Sequence, residues 1–195
     1  MELTRENAWN LLCKYVEGES LRRHCLAVEA SMREYARRFG EDEEYWGFVG
    51  LIHDFDFERH PTLDQHPQDG APILREEGVP EEVVQDVLSH ADHTGVPRDS
   101  KLRLTLAAVD ELSSFVVAVA LVRPSKTVDD VKPRSVKKKM KDKAFARAVD
   151  RDEMRRNAEA LGVDFDEHIQ VVVAGLSKAA PELGLTTTEA MAAND

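Results

Sequence analysis

Residues 104–122 read LTLAAVDELSSFVVAVALV, and in these 19 positions only Asp110 and Glu111 are charged. The run is too apolar to lie on a surface. The two acids also break the roughly 18 uninterrupted apolar residues that a membrane span needs. It therefore predicts a long helix, 101–122 with Ser100 as its cap, at the centre of a helical bundle. A buried carboxylate without a partner is expensive, so Asp110 needs a cation or strong donors. A buried Arg or Lys is the structural alternative, and Glu111 could be the exposed member of the pair.

The rest of the chain is patterned to wrap such a helix. Ala8, Trp9, Leu12, Tyr15 and Val16 fall at helical spacing over 4–16. Ser20 is placed to cap a helix that runs to Phe39 and stops at Gly40, with Leu21, His24 or Cys25, Val28, Met32, Tyr35 and Phe39 facing inward. A third helix is expected over 42–56, then a polar, proline-marked connection over 58–67. Shorter helices follow over 68–77, ended by Gly78, and over 80–91, started by Pro80. The loop 91–99 leads into the apolar helix, and 123–134 connects it to helices near 135–148, 150–161 and 164–179. No alternating strand pattern or internal repeat is present, so the expected fold is all-α. Residues 1–122 form its core, 123–185 add helices packed on the same domain, and 186–195 are a fraying tail.

With 42% hydrophobic and 32% charged residues, the composition is that of an ordinary globular chain. MELTRENAW has no secretory pattern, which implies a cytoplasmic protein with no membrane association. Cys13 and Cys25 lack metal-ligand spacing and read as reduced thiols. A net charge of −11 argues against a nucleic-acid polymer as partner. The charge is uneven, however: residues 132–147 hold eight Lys or Arg against one Asp. That segment reads first as a solvated helix face. Its functional reading has Lys126, Arg134 or Lys138 holding the phosphate of a small anionic substrate.

Three features resist explanation by packing. His24 sits on the apolar stripe of its helix, the His53-Asp54 pair follows Gly50-Leu51-Ile52, and Asp110 interrupts the central helix. Neighbouring residues on a helix point about 100° apart, so His53 and Asp54 converge best at a helix end. Imidazoles and carboxylates from three helices make a plausible site for a divalent transition metal: Mn, Fe, Co, Ni or Zn. The absence of cysteine ligands disfavours a closed structural zinc site.

The order His24 … His53-Asp54 … Asp110 resembles the HD superfamily of metal-dependent phosphohydrolases. DQHPQDGAPIL (64–74) and VLSHADHTG (87–95) resemble that family's later histidine segments. The resemblance covers residues 20–122, and the remainder is similar to small bacterial HD hydrolases of unassigned substrate. It implies a first metal on His24, His53, Asp54 and Asp110, and a second site using His66 and His90, with His60 and His93 as rivals for those two places. It further implies catalysis by Asp54, His66 and His90 through a metal-activated water, on a phosphomonoester or phosphodiester that is nucleotide-like. Asp56, Glu58 or Asp92 would then position the water. His90-Ala91-Asp92-His93 departs from the double-histidine pattern of the cyclic-dinucleotide phosphodiesterases, and HDFD departs from their HDIG.

Two other readings accompany this one: a di-iron HD oxygenase, and a nucleotide-binding regulatory module without turnover. Ser135-Val136-Lys137-Lys138 matches the serine-acylating S-x-x-K pattern with no supporting residues elsewhere. No phosphate-binding glycine loop, HExxH or GxSxG is present. His168 is assigned a structural or exposed place. Oligomeric state is not readable from the sequence.

Overall fold

A computed structural model describes residues 1–186, and they form helices and turns without a strand. The fraying expected of the tail concerns residues outside those described, Thr186 excepted. In chain order the helices are α1 (Arg5–Tyr15), α2 (Glu19–Phe39), α3 (Glu43–Ile52), α4 (Gly70–Glu76), α5 (Glu81–Leu88), α6 (Lys101–Leu121), α7 (Pro133–Met140), α8 (Arg151–Leu161), α9 (Phe165–Lys178) and α10 (Ala180–Leu183). Thr4, Asp42, Ser100, Asp150 and Asp164 each cap a helix by accepting first-turn amide hydrogens. Gly40 closes α2 in the left-handed conformation.

The apolar run is indeed central. α6 is long and apolar enough to cross a membrane by length and composition, but most of it is buried inside the bundle. α2 packs on it and on α3 and α9, while α8 covers its other side. Gly50 sets the α2–α3 crossing: a Cβ there would lie 2.9 Å from Met32 Cγ and 3.2 Å from the Glu29 backbone. The glycine that opens the Gly-Leu-Ile run thus brings the end of α3 up against α2.

Several boundaries differ from the sequence reading; α5, for one, ends at Leu88 rather than 91. α2 starts at Glu19, so Ser20 lies inside it and Gly18 is the cap. The Glu58 carboxylate, from another part of the chain, accepts the amides of Glu17 and Gly18 just ahead of the helix at 2.8 Å each. α3 ends at Ile52 rather than 56, and residues 53–59 continue as successive turns. α7 runs over 133–140 rather than 135–148. Beyond it the chain turns, with Ala146 at φ 40° and the Arg151 guanidinium gathering the carbonyls of Phe145, Ala146 and Val149.

Candidate metal centre

Ending α3 at Ile52 has a chemical consequence. His53 and Asp54 leave the helix at its last turn, so both side chains reach the same point from a backbone already changing direction. His53 is fully buried and Asp54 is nearly so. α2 brings His24 to them, with His24 Nε2 3.1 Å from His53 Nε2 and 3.3 Å from Asp54 Oδ2. α6 supplies Asp110, whose Oδ1 is 3.1 Å from His24 Nε2 and 3.6 Å from His53 Nε2. One turn further along α6, Ser114 Oγ meets His24 Nδ1 at 2.7 Å, so the central helix fixes both nitrogens of that ring.

A second group lies on the other side of Asp54. Its Oδ1 is 3.2 Å from His66 Nε2 and 3.4 Å from His90 Nε2, and those two nitrogens are 3.1 Å apart. Asp54 therefore belongs to two donor sets, His24–His53–Asp54 and Asp54–His66–His90, each compact enough to hold a metal ion.

The tautomers decide what these sets are for. His53 Nδ1 donates to the Gly50 carbonyl at 2.8 Å, and His90 Nδ1 donates to the Val87 carbonyl at 2.6 Å. His66 Nδ1 donates to the Asp56 carboxylate at 2.9 Å. Each bond leaves a lone pair on Nε2, aimed inward at other lone pairs and at carboxylate oxygens. Such an arrangement is repulsive unless a proton or a metal cation stands between the donors. Rings held by an outward N–H bond are the usual support of metal-ligating histidine. The donor set fits a divalent metal of the imidazole- and carboxylate-binding kind.

Without a metal, protons take over part of that task. Burial opposes charge on His24 and His66, but Asp110 and Asp54 raise His24 to about 10, and Asp54 and Asp56 raise His66 to about 9. His90 is pushed down to about 4, chiefly by burial. Burial alone would raise Asp54 and Asp110, yet the surrounding histidines hold both well below the usual carboxylate range. Next to Asp110, the half-buried Glu111 is raised to about 7 by burial and by Asp110 and Glu153.

The remaining sequence candidates fall elsewhere. Asp56 is fully buried with its Oδ1 on His66, out of reach of a cleft water. Its carboxylate packs against Gly70, where a Cβ would meet it at 2.6 Å, so α4 begins with the one residue that leaves room for it. Glu58 holds the start of α2, as described, and Asp92 is exposed and pairs with Arg98 at 2.8 Å. His60 stands 4.0 Å from Asp69, and His93 donates to the His66 carbonyl or Gln68 at 2.9 and 3.0 Å. His168 is buried and not exposed: its Nε2 donates to the Ala108 carbonyl and its Nδ1 accepts from Tyr35.

A cleft of about 700 Å³ opens over the donors, lined by His24, Asp54, His66, His90 and Asp110 together with Phe57, Leu63, Glu111, Val149 and Glu153. Lys126, Arg134 and Lys138 do not line it. Lys138 lines a separate pocket with Val119, Val122 and Arg123, near the far end of α6. At 1.5 Å per helical residue, nine residues separate Val119 from Asp110 by about 13 Å. The sequence had no means of placing α7 at that end of the bundle.

A family model for the HD domain matches residues 21–120, an interval that contains all six donors. The chain belongs to the HD-domain family. No curated protein and no solved structure matches it. HD domains bind divalent metals and are mostly metal-dependent hydrolases, and both donor sets fall within the matched interval.

Proposed function

We propose that this HD-domain protein is a metal-dependent phosphohydrolase that cleaves a phosphomonoester or phosphodiester of a small molecule. The observation that carries this reading is the position of the Asp54 carboxylate between two sets of inward-facing imidazoles. His24, His53, Asp54 and Asp110 would hold one divalent ion, and His66 and His90 would complete a second site on the other oxygen face of Asp54. A divalent ion there supplies Lewis acidity, lowering the pKa of water and offsetting the charge of a phosphoryl group.

The protein's own contribution is preorganisation. Gly50, Val87 and Asp56 fix the three Nδ1 hydrogens, so the Nε2 lone pairs need no rotation before use. Ser114 and Asp110 hold His24 from one helix face. Charge on a phosphoryl group then meets a site already arranged for it, which is where much of the rate enhancement of such transfers originates. Phe57 and Leu63 add apolar surface to the cleft wall.

The test is elemental analysis of purified protein, followed by assay of Mn-, Fe-, Co-, Ni- and Zn-loaded samples against a phosphoester panel. Full activity of metal-free protein would overturn the reading. The two donor sets joined by Asp54 would also serve a di-iron oxygenase, and that alternative predicts two irons and turnover that stops without dioxygen.

A further inference from the structure

Beside the cleft lies a groove of about 210 Å³, lined by residues of α2 and α6. Ser20, His24 and Ser114 line both spaces, so the groove continues the cleft past the metal donors. The two spaces differ in charge. Besides Asp54 and Asp110, the cleft wall carries Asp92, Glu111 and Glu153, with no lysine or arginine among its lining residues. The groove is lined by no carboxylate, and Arg23 is its one permanent charge. Ala27, Ala118 and the 42% exposed Leu121 make the rest of its surface apolar.

Arg23 is unlike the other guanidinium groups near the centre. Arg22 donates to the Val16 and Cys13 carbonyls, Arg98 to those of Ser89 and His90, and Arg151 to those of Ala146 and Val149. Arg23 is exposed and has no hydrogen-bond or ion-pair partner among the described residues. The junction of the two spaces offers further donors. His24 Nδ1 lies 2.7 Å from Ser114 Oγ. With Nε2 turned to the other donors, Nδ1 carries the hydrogen and Ser114 accepts it. That leaves the serine hydrogen to rotate towards an acceptor in the groove. Ser20 adds a second hydroxyl without a partner among the described residues.

We propose that the groove takes the leaving group of the substrate and that Arg23 recognises a second anionic group on it, a phosphate or a carboxylate, so that the enzyme selects esters anionic at both ends. This inference rests on the phosphohydrolase reading and adds its substrate class. The reacting phosphoryl group lies at the metal donors, the carbon chain crosses the junction past Ser20 and Ser114, and the far anion pairs with the guanidinium. An anion placed the other way, over Glu111 and Glu153, would meet carboxylates and no cation. Hydrolysis breaks the ester P–O bond and forms a P–O bond to the oxygen of water. The leaving alkoxide takes a proton from that water, and the products are inorganic phosphate and an alcohol that keeps its second anion.

The experiment compares kcat/KM of the metal-loaded full chain on 3-hydroxypropyl phosphate, 3-carboxypropyl phosphate and propane-1,3-diyl bisphosphate. At least one of the two esters with a second anion should exceed the hydroxyl ester by about tenfold, the scale of one charge-assisted hydrogen-bonded pair. Whichever is larger names the second group. Arg23→Ala should bring that ratio close to one, Arg23→Lys should keep part of it, and Arg23→Glu should invert it. The loss in Arg23→Ala should appear in KM, because a pair remote from the reacting bond is made equally in ground and transition states. Lys138→Ala removes an equal charge near the far end of α6 and should leave the ratio at its wild-type value. A wild-type ratio near one for both anions, or a ratio that Arg23 substitutions leave unmoved or that Lys138→Ala lowers equally, would overturn the inference while leaving the phosphohydrolase reading intact. If no phosphoester of any kind turns over with any metal, that reading fails instead. Where none of these three esters turns over, calorimetry with metal-loaded protein still tests the groove. Tighter binding of 3-carboxypropylphosphonate or propane-1,3-bisphosphonate than of 3-hydroxypropylphosphonate, lost in Arg23→Ala, supports the recognition, and equal affinity overturns it.

Discussion

The bundle buries carboxylates in two different ways. Glu29 and Asp86 are met by guanidinium groups. Glu29 takes Arg5 at 2.7 Å and Arg33 at 2.9 Å, and Asp86 takes Arg103 at 2.7 Å and the Tyr45 hydroxyl at 2.8 Å. Asp54 and Asp110 pair only with imidazoles among the described residues. An arginine is permanently charged and fills the space it neutralises. A histidine can give up its proton and leave a lone pair, so it neutralises a carboxylate only until something better arrives. The first arrangement holds helices together, and the second leaves lone pairs that a cation could take.

The largest break in that contrast should come from Asp54→Ala. It removes the one residue common to both donor sets, so metal content should fall to background and phosphoester turnover should fall by about a thousandfold or more, the scale of losing a metal centre's contribution to the barrier. Elemental analysis and kcat/KM read the two losses. Wild-type protein should also release protons as metal is added at pH 7, because His24 and His66 are raised to about 10 and about 9 and must deprotonate to ligate. A chelator should lower the melting temperature of wild type and leave that of Asp54→Ala unmoved.

Arg103→Ala should do the reverse. It leaves Asp86 buried with only the Tyr45 hydroxyl for company, and breaking a buried pair in this way costs about 3–5 kcal/mol. The urea midpoint should fall accordingly, while metal content of the folded protein stays that of wild type. Metal loss in Arg103→Ala at temperatures where it remains folded would erase the distinction between the two kinds of carboxylate.

Asp56 tests the border between them, being a buried carboxylate that touches a histidine through its outward nitrogen. Asp56→Ala should release the His66 ring and weaken the second donor set by about 10–100-fold in metal affinity, measured by metal titration against a competing chelator. The His24, His53 and Asp110 set should keep its ion.

How much of this was legible beforehand follows the same division. Asp110 stood out because an acid in a 19-residue run whose one other charge is the neighbouring Glu111 has no innocent place if it faces inward. His24 lay on its helix's inward stripe, and the resemblance to HD proteins ordered the six donors along the chain. The caps Ser100 and Gly40 and the central position of α6 could be read from local pattern alone. Asp56 could not be separated from Glu58 and Asp92, because burial behind Gly70 is a tertiary fact. Glu58 at the start of α2 is another, since its partners are 40 and 41 residues away. The basic segment shows the same limit of local pattern. Charge density along a sequence says nothing about which end of a bundle the helix will reach, and α7 lies with Val119 and Val122 rather than with Asp110.

His168 gives the smallest effect and the cleanest comparison with the site histidines. It is a histidine used as a fixed neutral link, donating through Nε2 to Ala108 and accepting from Tyr35 at 2.5 Å, and burial lowers its pKa to about 4. Because the folded-state value lies below the ordinary 6.5, the unfolded chain binds the proton first as pH falls. The stability contributed by keeping the ring neutral is therefore complete above about 6.5 and is lost as the pH drops from there towards 4, by about 1–2 kcal/mol at pH 5. Metal-free His24 and His66 carry the opposite sign: their raised values stabilise the fold at low pH and lose that effect as pH rises through about 9 and 10. The two contributions separate in the difference between wild type and His168→Gln, measured by urea denaturation in chelator at pH 7 and pH 5. The site histidines are common to both proteins and cancel. His168→Gln should be less stable than wild type at pH 7, and the gap should narrow at pH 5. A gap that stays constant across that range would mean that His168 titrates in the folded protein as it does in the unfolded chain, and that its neutrality is not what the Tyr35 and Ala108 contacts require.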